Sequence, residues 1–258
     1  MSCYFCMADL KKLVIEEFSS ANAQALYRKR AEEGLWSAEA HFINKYFTKS
    51  GAKLLDVGCG TGRTTMPFVQ MGFDVIGVDL VPAMIYTAKE IAQEKSIEID
   101  YRVDDATELS FENNTFDYAF FSNQGWAQTP GAENRLRVLK EVRRTLKPGG
   151  IFIFTAHPRV WAFEFFFTWI WLWSKFYLLK PLGVQIKELD FGDRFFDREN
   201  YREKKIYNKK QYIHIPTVEE VRAQIKQAGF HLLESNGSMP VSQQDIKKHP
   251  PVFYVCQK

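Results

Sequence analysis

The sequence is poor in cysteine: Cys3, Cys6, Cys59 and Cys256 are the only 4 in 258 residues, without the dense spacing of a disulfide scaffold. A chain of this length can bury a core without cross-links, so a reducing, cytoplasmic compartment is the expectation. Charge of one sign is scarce too. The 34 Lys and Arg against 31 Asp and Glu leave a formal net charge of +3, too small to argue for nucleic acid as a partner on charge alone. No apolar run approaches the ~20 residues of a bilayer span, and no basic segment followed by an apolar one opens the sequence, so neither a transmembrane helix nor a signal peptide is expected. Internal repeats and low-complexity tracts are missing as well. What remains, 46% hydrophobic and 25% charged, is the composition of a globular protein. At 258 residues it reads as one domain carrying an insertion.

Aromatic residues, by contrast, are plentiful at 15%, and four of the six tryptophans (Trp161, Trp169, Trp171 and Trp173) crowd into one stretch. Before it, the pattern is regular. Leu10, Leu13, Val14 and Phe18, then Ala38, Phe42, Ile43 and Phe47, recur at helical spacing, predicting two helices ahead of any strand. From Lys53 onward short apolar runs alternate with segments able to hold a helix. The runs are 54–57, 73–78, 97–103, 115–121 and 151–156; the helical segments include 82–94 and 133–146. Such alternation implies a parallel sheet with helices on both faces. It lapses between Pro158 and Pro216, then resumes with a helix from Thr217, capped by Glu220 three residues on and closed by Gly229, and with two strands at 230–234 and 252–256.

The chemistry is written at the ends of the strands. Leu54-Leu55-Asp56-Val57 runs into Gly58-Cys59-Gly60-Thr61-Gly62, where missing Cβ atoms let backbone turn sharply and approach a ligand. The spacing G-x-G-x-G differs from the dinucleotide G-x-G-x-x-G, and Asp56 just before it would repel phosphate while attracting a cation. Asp79 closes the second strand, where an acid can accept both ribose hydroxyls, and Asp105, followed by Ala106, closes the third, where a carboxylate can take an exocyclic amine. Asp at a strand end is also ordinary turn chemistry. Three in succession beside a glycine loop point to a nucleoside pocket.

Together with Asn114-Thr115-Phe116-Asp117 and Leu146-Lys147-Pro148-Gly149-Gly150, these motifs resemble a class I S-adenosylmethionine-dependent methyltransferase from Lys53 to Ala156, and Ala228-Gly229-Phe230 extends the likeness toward the C-terminus. The resemblance implies a Rossmann-like α/β fold: a seven-stranded, mostly parallel mixed sheet with its last strand antiparallel and helices on both faces. It implies S-adenosylmethionine as cofactor and S-adenosylhomocysteine as product. Asp56, Gly58, Cys59, Gly60, Thr61 and Gly62 would serve its methionine and ribose, Asp79 the ribose with Leu80 and Met84 beside it, and Asp105 and Ala106 the adenine. Ser122 and Asn123, after the fourth strand, would lie beneath the sulfonium.

Methyl transfer is an in-line displacement that needs an aligned acceptor and a sink for its proton; no metal is required. His157, directly after a core strand, is the candidate base, and Asn123, Gln124 and Tyr27 are candidates to orient the acceptor. Tyr27 and Trp36 are also candidates for a lid, or for plain core. Asn123-Gln124-Gly125-Trp126 departs from the Asn/Asp-Pro-Pro-aromatic pattern of amino-methylating enzymes, favouring a small apolar or aromatic acceptor, methylated at O, N or C. The alternative is a non-catalytic module that binds a nucleoside or a partner.

The stretch 161–179 is apolar around every helical face except at Glu164, Thr168, Ser174 and Lys175. Three readings stay open: a cap over the acceptor or plain core, a homodimer interface, or peripheral contact with a membrane. The charges Arg202, Lys204, Lys205, Lys209 and Lys210 read as a solvated face or as contacts for anionic headgroups. Cys3-x-x-Cys6 is half a zinc motif without its second half. The expected organisation is therefore one domain: an N-terminal helical lid (1–50), a cofactor-binding core (51–157), an aromatic-rich cap insertion (158–216), and a C-terminal helix with two strands (217–258).

Overall fold

The computed structural model describes residues 7–199, 206–239 and 249–258. Its centre is a sheet of seven strands: β1 (Lys53–Val57), β2 (Asp74–Asp79), β3 (Asp100–Val103), β4 (Phe116–Phe121), β5 (Leu146–Ala156), β8 (His231–Asn236) and β9 (Val252–Gln257). They lie in the order β3-β2-β1-β4-β5-β9-β8, with β9 antiparallel to both of its neighbours. This is the mixed Rossmann-like sheet expected. The order reverses at β1, so a crevice opens beyond the carboxyl ends of β1 and β4, the switch point where open α/β sheets bind ligands.

Strand side chains alternate between two cores. Leu55, Val57, Ala119, Phe121, Phe152 and Phe154 face α6 (Ala132–Thr145) and α8 (Val218–Gln227), while Leu54, Val75, Phe120, Ile151 and Ile153 face α3 (Ser37–Tyr46) and α4 (Thr65–Gln70). Helix α5 (Pro82–Glu94) starts with Pro at its first turn, where the missing N–H costs nothing. The Thr217 hydroxyl accepts the Glu220 N–H at 3.0 Å, the cap read from the sequence.

Two expectations change. Among the described residues three α-helices precede β1, not two: α1 (Met7–Phe18) and α2 (Ala21–Arg30) are separate because Ser20 breaks the helix and caps the next, its Oγ accepting from the Ala23 N–H. The strand read at 97–103 forms only at Asp100–Val103, since Ser96 takes a left-handed backbone and the chain needs three more residues to reach the sheet. The insertion folds as α7 (Phe163–Ser174), a π-helical turn (Lys175–Leu179) and an antiparallel hairpin of β6 (Asp193–Glu199) and β7 (Ile206–His214). Cys3, Cys6, Arg202, Lys204 and Lys205 lie outside the described residues, as do the side chains of Lys209 and Lys210.

Candidate functional site

A cavity of about 390 Å³ opens at the switch point, within the ordinary range for small-molecule sites. Its floor is Val57, Gly58 and Gly60 after β1; one wall is Asp79, Leu80 and Met84; another is Asp104, Asp105, Ala106 and Thr107; Phe121, Ser122 and Asn123 follow β4. The roof is Lys11, Val14 and Phe18 of α1 with Tyr27 of α2. Of the residues singled out in the sequence, this brings together Tyr27, Gly58, Gly60, Asp79, Leu80, Met84, Asp105, Ala106, Ser122 and Asn123.

The glycine loop is shaped by one aromatic ring. Phe121 sits where a Cβ on either Gly58 or Gly125 would lie, so both must be glycine for the loop and the turn after β4 to close around it. Gly58 also has φ of 61°, and Asn123 and Gln124 are left-handed in succession, with φ of 47° and 63°. The Gln124 N–H donates to Thr155 Oγ1 at 3.0 Å, holding that turn.

The acids differ sharply. Asp79 Oδ2 accepts the Gly60 N–H and Oδ1 the Val81 N–H, both at 2.9 Å. Burial, opposed by those two amides, pushes its carboxyl up to about 6. Asp105 takes Lys11 Nζ at 2.5 Å on Oδ2 and the Thr107 N–H at 2.9 Å on Oδ1. Burial would raise it, but the Lys11 ammonium and the Thr107 amide outweigh burial and hold it below the usual carboxylate range.

Seven residues singled out in the sequence do not line the cavity, Gln124 among them, its backbone turned away to Thr155. Asp56, read as attracting a cationic ligand, is fully buried beneath the loop, where the Thr64 and Thr65 hydroxyls donate to Oδ2 at 2.7 and 2.6 Å. Burial pushes it up to about 7. Cys59 and Gly62 pack into the core toward Tyr101 and Gly77, and Thr61 donates its hydroxyl to the Tyr27 carbonyl at 2.8 Å, tying the loop to the roof. His157 is half-buried after β5, outside the cavity wall. Trp36 is also elsewhere, stacked 3.8 Å from the Arg63 guanidinium.

Other residues were not picked out by the sequence. Glu39 holds Arg63 bidentately, 2.7 Å on each arm, and also accepts from Ser122 Oγ and the Trp36 N–H. This buried node ties α3, the glycine loop and the end of β4 behind the cavity. A second node lies under the hairpin. The fully buried His214 places Nδ1 2.7 Å from Asp193 Oδ1 and Nε2 2.8 Å from Glu220 Oε1, so each ring nitrogen faces a carboxylate. Arg135 pairs with Asp190 at 2.8 Å, and Tyr212 Oη donates to Asp193 at 2.9 Å. Asp190, Asp193 and His214 are close enough to hold a cation. Their donor atoms are already engaged, with Asp193 Oδ2 accepting the Leu189 and Asp190 amides. A buried His and Glu39 on an otherwise apolar helix face were the available signals.

No described residue of the insertion lines the cavity. Its hairpin buries Tyr212 against Leu10, Val14 and Phe18 of α1, so it braces the roof rather than forming it.

Residues 54–150 match the family model described as a methyltransferase domain. A ubiquinone biosynthesis O-methyltransferase of Cereibacter sphaeroides is 32% identical over 138 residues, 49% of this chain and 54% of that protein. The chain spans about half the length of the first curated relatives it matches. Among solved structures, a SAM-dependent methyltransferase from Methanosarcina mazei superposes with a TM-score of 0.67 at 20% identity, covering 87% of this chain and 98% of that one. The 1,6-didemethyltoxoflavin-N1-methyltransferase of Burkholderia thailandensis, with S-adenosylhomocysteine bound, gives 0.66 at 15% identity, covering 100% and 92%. The matched segment is the one that carries the glycine loop and the strand-end acids, so the likeness to a methyltransferase domain falls on the strand ends that line the cavity.

Proposed function

We propose that the chain moves a methyl group from S-adenosylmethionine to O, N or C of a small, planar, largely apolar acceptor. The observation that carries this reading is the convergence of Gly58, Gly60, Asp79 and Asp105 on one cavity. Gly58 leaves backbone exposed to a ligand; Asp79 is recessed to accept two ribose hydroxyls; Asp105 and the amides beside it suit the adenine edge. The cofactor, when bound, supplies a methyl carbon already activated by its sulfonium.

The rest is positioning by this chain. Phe18, Tyr27 and Phe121 offer aromatic walls, and Asn123, Gln128 and Asn134 offer amides to orient an acceptor. The similarity to a ubiquinone biosynthesis O-methyltransferase and to a 1,6-didemethyltoxoflavin-N1-methyltransferase fits such an acceptor. The left-handed backbone of Asn123, beside Ser122 in the cavity wall, supports a role for its amide in aligning the acceptor. A hydroxyl acceptor would surrender its proton to solvent; His157 would act only from outside the wall. The buried thiols Cys59 and Cys256 suit a reducing cytoplasm.

Incubation with S-adenosylmethionine and a panel of phenols, hydroxyquinones and nitrogen heteroaromatics, read by S-adenosylhomocysteine release, tests this. Turnover of a planar acceptor, reduced in Asn123→Ala, is expected. Cofactor binding without turnover on any acceptor would favour the non-catalytic alternative.

A further inference from the structure

Helix α7 packs only one of its two apolar faces. Trp169 and Leu172 are buried, with Trp169 Nε1 donating to the Val160 carbonyl at 2.8 Å and Phe176 against Phe191 at 5.8 Å. The opposite face is equally apolar and open: Phe163 is 87% exposed, Phe167 74% and Trp171 58%, with Leu182 of the following turn at 79%. None of it borders the cavity. An exposed patch of this kind marks a docking surface.

We propose that this face of α7 docks on the surface of an anionic phospholipid bilayer. Three features favour lipid. The exposed aromatics include Trp161, Trp171, Trp173 and Tyr177, whose amphipathic rings suit the boundary between acyl chains and headgroups. The charge beside them is cationic at Lys180 and Lys187, while Lys175 pairs with Glu188 at 2.6 Å and Glu164 lies 3.8 Å from His249. Lys180 is placed just past the C-terminal end of the helix, its Nζ 5.1 Å from the Phe176 ring, with its apolar stem along the patch and its ammonium group at the edge. A second copy fits less well, because a two-fold contact would bring the same cationic rim against itself. No described helix is long and apolar enough to cross a membrane, so the docking is interfacial. This inference is independent of what the cavity binds.

Flotation with vesicles of phosphatidylcholine containing about 30% phosphatidylglycerol, against pure phosphatidylcholine, tests it. The whole chain should partition onto the anionic vesicles, with its tryptophan emission quenched by brominated acyl chains. Phe163→Ser/Phe167→Ser/Trp171→Ser should lower the partition coefficient at least about tenfold. Lys180→Glu/Lys187→Glu should remove about tenfold of the anionic preference. Both variants change exposed residues, so unchanged thermal melting controls for folding. Failure of folded wild type to bind anionic vesicles, or undiminished binding by the apolar triple variant, overturns the proposal. So does a dimer in sedimentation equilibrium that the triple variant dissociates while no vesicle is bound, which would assign the face to self-association.

Discussion

Lys11 Nζ lies 2.5 Å from Asp105 Oδ2, closing α1 over the crevice across 94 residues of sequence. Because the pair is part-exposed, its worth is about 1 kcal/mol or less. Lys11→Ala should therefore open the roof and speed S-adenosylhomocysteine release by about three- to fivefold, measured by stopped-flow displacement. An unchanged off-rate would show that α1 does not gate the site.

Asp79 gives ligand binding a pH dependence of defined sign. Its folded carboxyl sits at about 6, and ribose hydroxyls donate to the ionised form. Affinity should be full above about pH 7 and fall as the pH drops through 6, by up to about tenfold per unit below it. Asp79→Asn, which cannot ionise, should lose this dependence. Calorimetry between pH 5 and pH 8 reads it out.

The Glu39–Arg63 pair is buried on both sides, at 1% and 9% side-chain exposure. Removing one partner strands the other charge, so Glu39→Ala should cost about 3–5 kcal/mol in urea unfolding. Because Glu39 also takes the Ser122 hydroxyl, the same change should weaken cofactor affinity.

The node at His214 controls acid stability. Burial raises Asp193 and Glu220, but the His214 hydrogen bonds and nearby charges outweigh it, and both carboxyls end below their usual values of 3.8 and 4.5. Groups depressed in the folded state contribute stability above their unfolded pKa and lose it as the pH falls through the folded one. This contribution is thus present above about pH 4.5 and fades on acidification. His214→Asn removes the cause: it should cost about 3–5 kcal/mol at neutral pH and shrink the loss on acidification, as read from unfolding between pH 3 and pH 7.

How much of this was legible follows from distance along the chain. Gly58, Asp79 and Asp105 could be read because each terminates a local apolar run, and one sheet edge then gathers them. Asp56 carries the same local mark, yet it stands inside β1 rather than past its end, and the inward pleat buries it. Lys11, Glu39 and His214 gave little local signal: their partners are 94, 24 and 6–21 residues away and belong to other elements. His157 stood out by following a strand, whereas His214, in a hairpin that only tertiary packing positions, is the histidine fixed between two acids. The composition of 161–179 predicted a helix apolar all round; which face stays open depended on where Trp169 and Leu172 pack.

The most direct test of the central claim is calorimetric titration of the folded chain with S-adenosylmethionine and S-adenosylhomocysteine, with NADH and an Asp79→Ala variant as controls. The account predicts micromolar binding of both sulfur ligands, none of NADH, and a loss of at least about tenfold in the variant. No binding of either sulfur ligand, or equal binding by Asp79→Ala, would contradict it.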